Sequence, residues 1–137
     1  MNIRPKVLLI TSDPAETEVL ERILKDHVIL RSGANLMELQ ALLEETKYDA
    51  VFCGWSFHRG TWYDAVDRIL NHTPDLPIVI FCRTAGEREW VEVLKAGAFD
   101  LLVPPYGELA VLSVLEQAVS SYEVRRMMSL SASPRAS

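Results

Sequence analysis

A chain of 137 residues that is 49% apolar is long enough for one domain with its own core. Its 14 lysines and arginines against 19 aspartates and glutamates leave a net charge of -5, which argues against any role that depends on neutralising nucleic-acid phosphates. No apolar run approaches the roughly 18–20 residues that cross a bilayer, no signal-peptide pattern opens the chain, and the two cysteines lack the spacing of a disulfide scaffold or a zinc site. The expectation is a single-domain cytoplasmic protein.

The pattern alternates short apolar runs with amphipathic segments. Val7, Leu8, Leu9 and Ile10 form the first strand-like run. Asp13, Pro14 and Glu16 then read as an N-cap, a proline at the first helical position and the far member of a capping box. Val19, Leu20, Ile23 and Leu24 share one face of the helix that follows. Residues 28–30 suit a second strand, and Asn35 with Glu38 opens a helix striped by Leu36, Leu39, Leu42 and Leu43. Residues 48–53 are the third strand. Thr61 and Asp64 cap a helix carrying Ala65, Val66, Ile69 and Leu70.

A turn at 74–77 precedes the most apolar strand, 78–81. Thr84 and Glu87 spell another capping box before a helix with Val91 and Leu94 on its inner stripe and Trp90 and Val93 toward its edge. Gly97 ends that helix. Residues 101–103 are the fifth strand, and from about 108 a long helix shows Leu112, Leu115, Val119 and Tyr122. Residues 129–137 are Ser-rich and aperiodic and read as a flexible tail after a domain of 1–128. Strands apolar on both faces that alternate with helices predict an α/β fold, a doubly wound parallel sheet of five strands in the order 2-1-3-4-5.

Over roughly 6–122 the chain resembles the receiver domain of bacterial response regulators, a flavodoxin-like fold. The resemblance rests on residues 6–14, 48–53, 77–81 and above all 94–105, which run Ala96, Gly97, Ala98 into a short strand and Pro104-Pro105. It implies a phosphoacceptor aspartate where this chain has Gly54, and an acidic metal-binding pair where it has Thr11 and Ser12, with Asp13 one residue beyond. It places the hydroxyl residue that senses the phosphoryl group at Cys82, the phosphoryl-contacting lysine at Pro104 and the aromatic switch at Leu101. It also implies a cis bond between Pro104 and Pro105.

A glycine supplies no nucleophile, and magnesium wants carboxylate oxygens in a near-octahedral array. A degenerate pocket of Thr11, Ser12, Asp13, Gly54, Cys82 and Pro104 is therefore expected, with no phosphoacceptor, no catalytic residue, no metal and no cofactor. Asp13 is explained by helix capping. The glycines at 54, 60, 86, 97 and 107 stand singly and form no nucleotide loop. Strand alternation turns Cys53 away from the pocket that Cys82 faces, so a disulfide is not expected.

The aromatic stretch Trp55, Phe57, Trp62 and Tyr63, around His58 and Arg59, is either a lid over the pocket or a binding surface. The resemblance also implies a partner face on the fourth helix, fifth strand and fifth helix, here Trp90, Val93, Leu101 and Val111. The expected function is a stand-alone degenerate receiver, not an enzyme, acting as a phosphorylation-independent interaction module in two-component-type signal transduction. Its partner would be a signalling protein or a second copy, with neither nucleic acid nor membrane involved. The alternative is a small-ligand sensor built on the neutral pocket.

Overall fold

The structure, a computed structural model, describes residues 4–57, 59–82 and 87–132. In chain order the elements are β1 (Lys6–Ile10), α1 (Pro14–Leu24), β2 (Ile29–Gly33), α2 (Leu36–Glu45), β3 (Ala50–Gly54), β4 (Ser56–Phe57), β5 (Gly60–Thr61), α3 (Trp62–His72), β6 (Ile78–Phe81), α4 (Glu87–Lys95), β7 (Asp100–Leu102) and α5 (Glu108–Ala132). Five strands form one sheet in the order β2-β1-β3-β6-β7, every pairing parallel. This is the doubly wound order expected from the alternation of strands and helices.

Both faces of the sheet are covered because successive strand residues point to opposite sides. Val7, Leu9, Ala50, Phe52, Val79 and Phe81 pack with α1 and α5. Leu8, Ile10, Val51, Cys53, Ile78 and Ile80 pack with α2, α3 and α4. Central strand β3 is buried along its whole length.

Caps fix where the helices begin. Asp13 Oδ1 accepts from the amides of Ala15 and Glu16 at 2.9 and 3.4 Å. Asn35 Oδ1 accepts from Glu38 N at 2.8 Å, while Glu38 Oε1 accepts from Ala34 N at 2.7 Å. Thr61 and Asp64 form the expected capping box. The Thr84–Glu87 pair lies outside the described residues. Gly97 ends α4 with φ at 107°, where a Cβ would also meet Leu70 Cδ1 at 2.8 Å.

The structure departs from the sequence reading in several places, and β2, β3 and β7 each lie one to three residues from their expected bounds. A small antiparallel hairpin, β4–β5, stands apart from the main sheet between β3 and α3. Helix α5 runs on through Ala132, across part of the expected tail, because neither glycine nor proline interrupts it before Pro134; residues 133–137 lie outside the described residues. Glu16 does not close a capping box with Asp13, since its carboxylate is bound elsewhere. Finally, α4 is rotated from its expected phase. Val93 is fully buried and Val91 is exposed, two residues apart and so on nearly opposite sides of a helix.

Candidate functional site

The carboxyl ends of β1, β3 and β6 meet at one rim of the sheet, the usual place for ligand chemistry in such folds. Thr11 leaves β1 with its amide bonded to Gly33 O at 3.1 Å and its side chain buried. Its Oγ1 accepts from Asp13 N at 3.1 Å and donates to Glu16 Oε1 at 3.4 Å. The other oxygen of Glu16 accepts from Tyr106 Oη at 2.9 Å. The Tyr106 ring meets Phe81 edge-on, with centroids 5.9 Å apart. Thr11, Glu16 and Tyr106 thus form a polar chain that ties the β1–α1 loop to the β7–α5 loop.

Gly54 ends β3 beside this chain. A Cβ there would lie 3.1 Å from Thr11 Oγ1 and 3.3 Å from Thr11 Cβ, so the threonine side chain already stands where a larger residue at 54 would begin. Ser12 turns away and donates to Ser56 O in the hairpin at 3.1 Å. The Asp13 carboxylate caps α1. Cys82, directly after β6, is buried and bonds through its amide to Leu102 O. Pro104 is exposed, and its bond to Pro105 is cis. Of the six expected pocket residues, Thr11 stands where a side chain at position 54 would begin, whereas Ser12 and Asp13 are engaged elsewhere.

The profile of the response regulator receiver domain family matches residues 7–116. The chain belongs to that family. Residues 29% identical to the response regulator protein PilR of Pseudomonas aeruginosa extend over 103 positions, which is 74% of this chain and 23% of that protein. The chain therefore spans about a quarter of the length of this curated relative. The signal receiver domain of an HD domain-containing protein from Pseudomonas fluorescens superposes with a TM-score of 0.83 at 18% identity, covering 93% of this chain and 95% of the other. The receiver domain of a sensor histidine kinase from Pseudomonas aeruginosa, solved with magnesium in its active-site cleft, gives a TM-score of 0.77 at 20% identity, over 86% and 99% of the two chains. These likenesses show the shared fold.

The oxygen donors on the rim of this receiver domain do not fit a magnesium ion. Thr11 and Ser12 are neutral and already bonded, Asp13 is held by two amides of α1, and the Glu16 carboxylate is taken by the hydroxyls of Thr11 and Tyr106. Among the described residues no group of three or more His, Cys, Asp or Glu could hold a metal. Cys53 offers no substitute nucleophile. It is fully buried on the α2–α3–α4 side, and burial pushes its thiol far above the ordinary range, so it stays protonated. Both cysteines are free thiols.

The aromatic stretch divides between core and surface. Phe57 and Trp62 are buried in the α2–α3–α4 core, Trp55 packs on Trp62 with centroids 5.4 Å apart, and Tyr63 is exposed. His58 lies outside the described residues. The expected partner face also needs correction. Val93 and Val111 are fully buried, Val111 because it opens the stripe Val111, Leu115, Ala118 that seats α5 on the sheet. They are core residues, not contact residues. Trp90 stays half-exposed, its ring N–H donating to Asp100 Oδ1 at 3.4 Å, and Leu101 is partly buried beside it.

Glu16 and Tyr106 are the site residues that sequence reasoning missed. The spacing of Glu16 from Asp13 is that of a capping box, and the pattern is silent on which way the carboxylate turns. Tyr106 carries no motif at all.

Proposed function

We propose that this receiver domain works without phosphorylation, as a protein-interaction module in two-component-type signalling. The observation that carries this reading is the contact at the end of β3: position 54 has no side chain, and Thr11 stands against it. Phosphoryl transfer needs a nucleophile and groups that stabilise the developing charge. Here the neighbouring polar groups instead bond to one another along Thr11, Glu16 and Tyr106. The same contact argues against a metabolite held among Thr11, Ser12, Gly54 and Cys82.

The partner face in this reading is the edge of the sheet at β7. Trp90, Leu101 and the exposed Val103 supply apolar surface there, and aromatic anchors of this kind dominate interface energetics. With no phosphoryl group to shift populations, the domain presents one dominant surface to a signalling protein or a second copy.

Incubation with acetyl phosphate and magnesium, followed by intact mass measurement, tests the first half. The protein should keep its mass, and the gain of one phosphoryl group overturns the reading.

A further inference from the structure

The inner stripe of α2, formed by Leu39, Leu42 and Leu43, is buried against the sheet. Its outer side is only half covered. The β4–β5 hairpin and α3 rise beside it and leave a groove of about 630 Å³. Leu36, Met37 and Phe57 give this groove an apolar lining, with Met37 82% exposed and free to adapt. Exposed Ala41 keeps the middle open. Gly60 at φ 149° sets the hairpin against α2, since a Cβ there would come within 2.6 Å of Leu36 Cδ1.

Charge distinguishes the groove from a merely uncovered helix face. In a protein of net charge -5, two guanidinium groups line it, those of Arg59 and Arg68. Among the described residues neither has an ion-pair or hydrogen-bond partner, whereas Arg22 and Arg31 are each 2.7 Å from a glutamate. The carboxylate on the same rim, Glu44, accepts from Gln40 Nε2 at 2.9 Å within α2. Arginine is charged at every working pH and matches carboxylates through paired N–H donors. The volume falls in the range of about 300–1,000 Å³ typical of small-molecule sites. From Asn35 to Glu44 the helical wall is roughly 13 Å long at ~1.5 Å per residue, which favours an elongated occupant.

We propose that the groove between α2, the hairpin and α3 binds a small elongated apolar carboxylate, its tail against Leu36, Met37 and Phe57 and its head held by Arg59 and Arg68. The site is separate from the rim at Gly54, and the proposal holds whether or not the rim is phosphorylated.

Decanoate below its micellar concentration is the probe, with decanol as the uncharged control, followed by amide proton–nitrogen correlation spectra. Binding of decanoate should saturate, with shifts confined to α2, β4–β5 and the Arg68 turn of α3. Decanol should bind about tenfold more weakly or worse. Arg59→Gln and Arg68→Gln, both at exposed positions, should each weaken decanoate about tenfold and leave decanol unchanged. Ala41→Trp should block both probes without changing the melting temperature. The proposal is overturned by non-saturating shifts, by shifts centred on Thr11 and Gly54, or by arginine variants that bind decanoate normally. It is overturned equally if an acidic amphipathic peptide occupies the groove while decanoate does not.

Discussion

The two ends of β3 obey different rules. Ala50 and Val51 sit deep between β1 and β6, where any residue must be small or branched, apolar and able to pack on both sides of a covered sheet. Gly54, at the carboxyl end of the same strand, is set by what its neighbours on the rim do chemically, and a Cβ added there would first meet the side chain of Thr11. Packing constrains the first end tightly, because the core tolerates only volume-matched exchange. The second end can change its chemistry while the strand stays in register. A receiver fold is therefore no guarantee of receiver chemistry.

The comparison predicts its largest effects in the core. Val93→Asp and Val111→Asp each bury an uncompensated carboxylate and should cost about 3–5 kcal/mol, enough to unfold much of the population in urea titrations. If either variant keeps native stability, that residue belongs to the surface and the corrected partner face is wrong.

At the rim the effects should be smaller. Gly54→Asp forces Thr11 to yield by a few tenths of an ångström and should cost about 1–3 kcal/mol. It should not take up a phosphoryl group from acetyl phosphate, because the oxygen donors around it still do not fit magnesium. Tyr106→Phe removes the hydrogen bond to Glu16 and should cost about 0.5–1.5 kcal/mol, with faster amide exchange in the β7–α5 loop. An unchanged exchange pattern would show that the polar chain does not hold the two loops together.

Alkaline conditions separate the two regions by a different probe. Burial raises the Cys53 thiol above its ordinary value of 9.0, and burial likewise raises Tyr48. A thiol that ionises more readily in the unfolded chain contributes stability that is complete below about pH 9 and is lost as the pH rises beyond it. Stability should therefore fall above that pH, and Cys53→Ala should flatten the slope. The smallest effect belongs to the edge of the sheet. Trp90→Glu should change stability by no more than about 0.5 kcal/mol, yet weaken capture of a second copy or a signalling partner in sedimentation or pull-down measurements.

Strand order and sheet direction could be read from the sequence because both faces of each central strand are apolar and the first three helices carry their own start signals. Asp13-Pro14, Asn35 with Glu38, and Thr61 with Asp64 mark helix starts by local hydrogen bonding, which needs no tertiary context. The rotation of α4 could not be read in this way. Trp90, Val91, Val93 and Leu94 place apolar groups around most of a short helix, and only contact with the sheet selects Val93 as the inner residue. The β4–β5 hairpin pairs only two residues with two, too few for alternation to register. At the rim, the identities of Thr11, Ser12 and Gly54 are evident, but Glu16 and its partner Tyr106 lie 90 residues apart and are joined only by the fold.

The closeness of Thr11 to Gly54 bears on how such a site can change over generations. An aspartate at 54 and a threonine at 11 are coupled choices, because the first atom of one side chain meets the other at 3.1 Å. Starting from threonine at 11 and glycine at 54, a direct change of residue 54 to aspartate is an uphill step. The easier route shrinks or redirects residue 11 first and enlarges residue 54 afterwards. The double variant Thr11→Ala with Gly54→Asp should accordingly be more stable than the two single effects added together. The order in which the residues change, and not just their identity, then decides which chemistries the rim can reach.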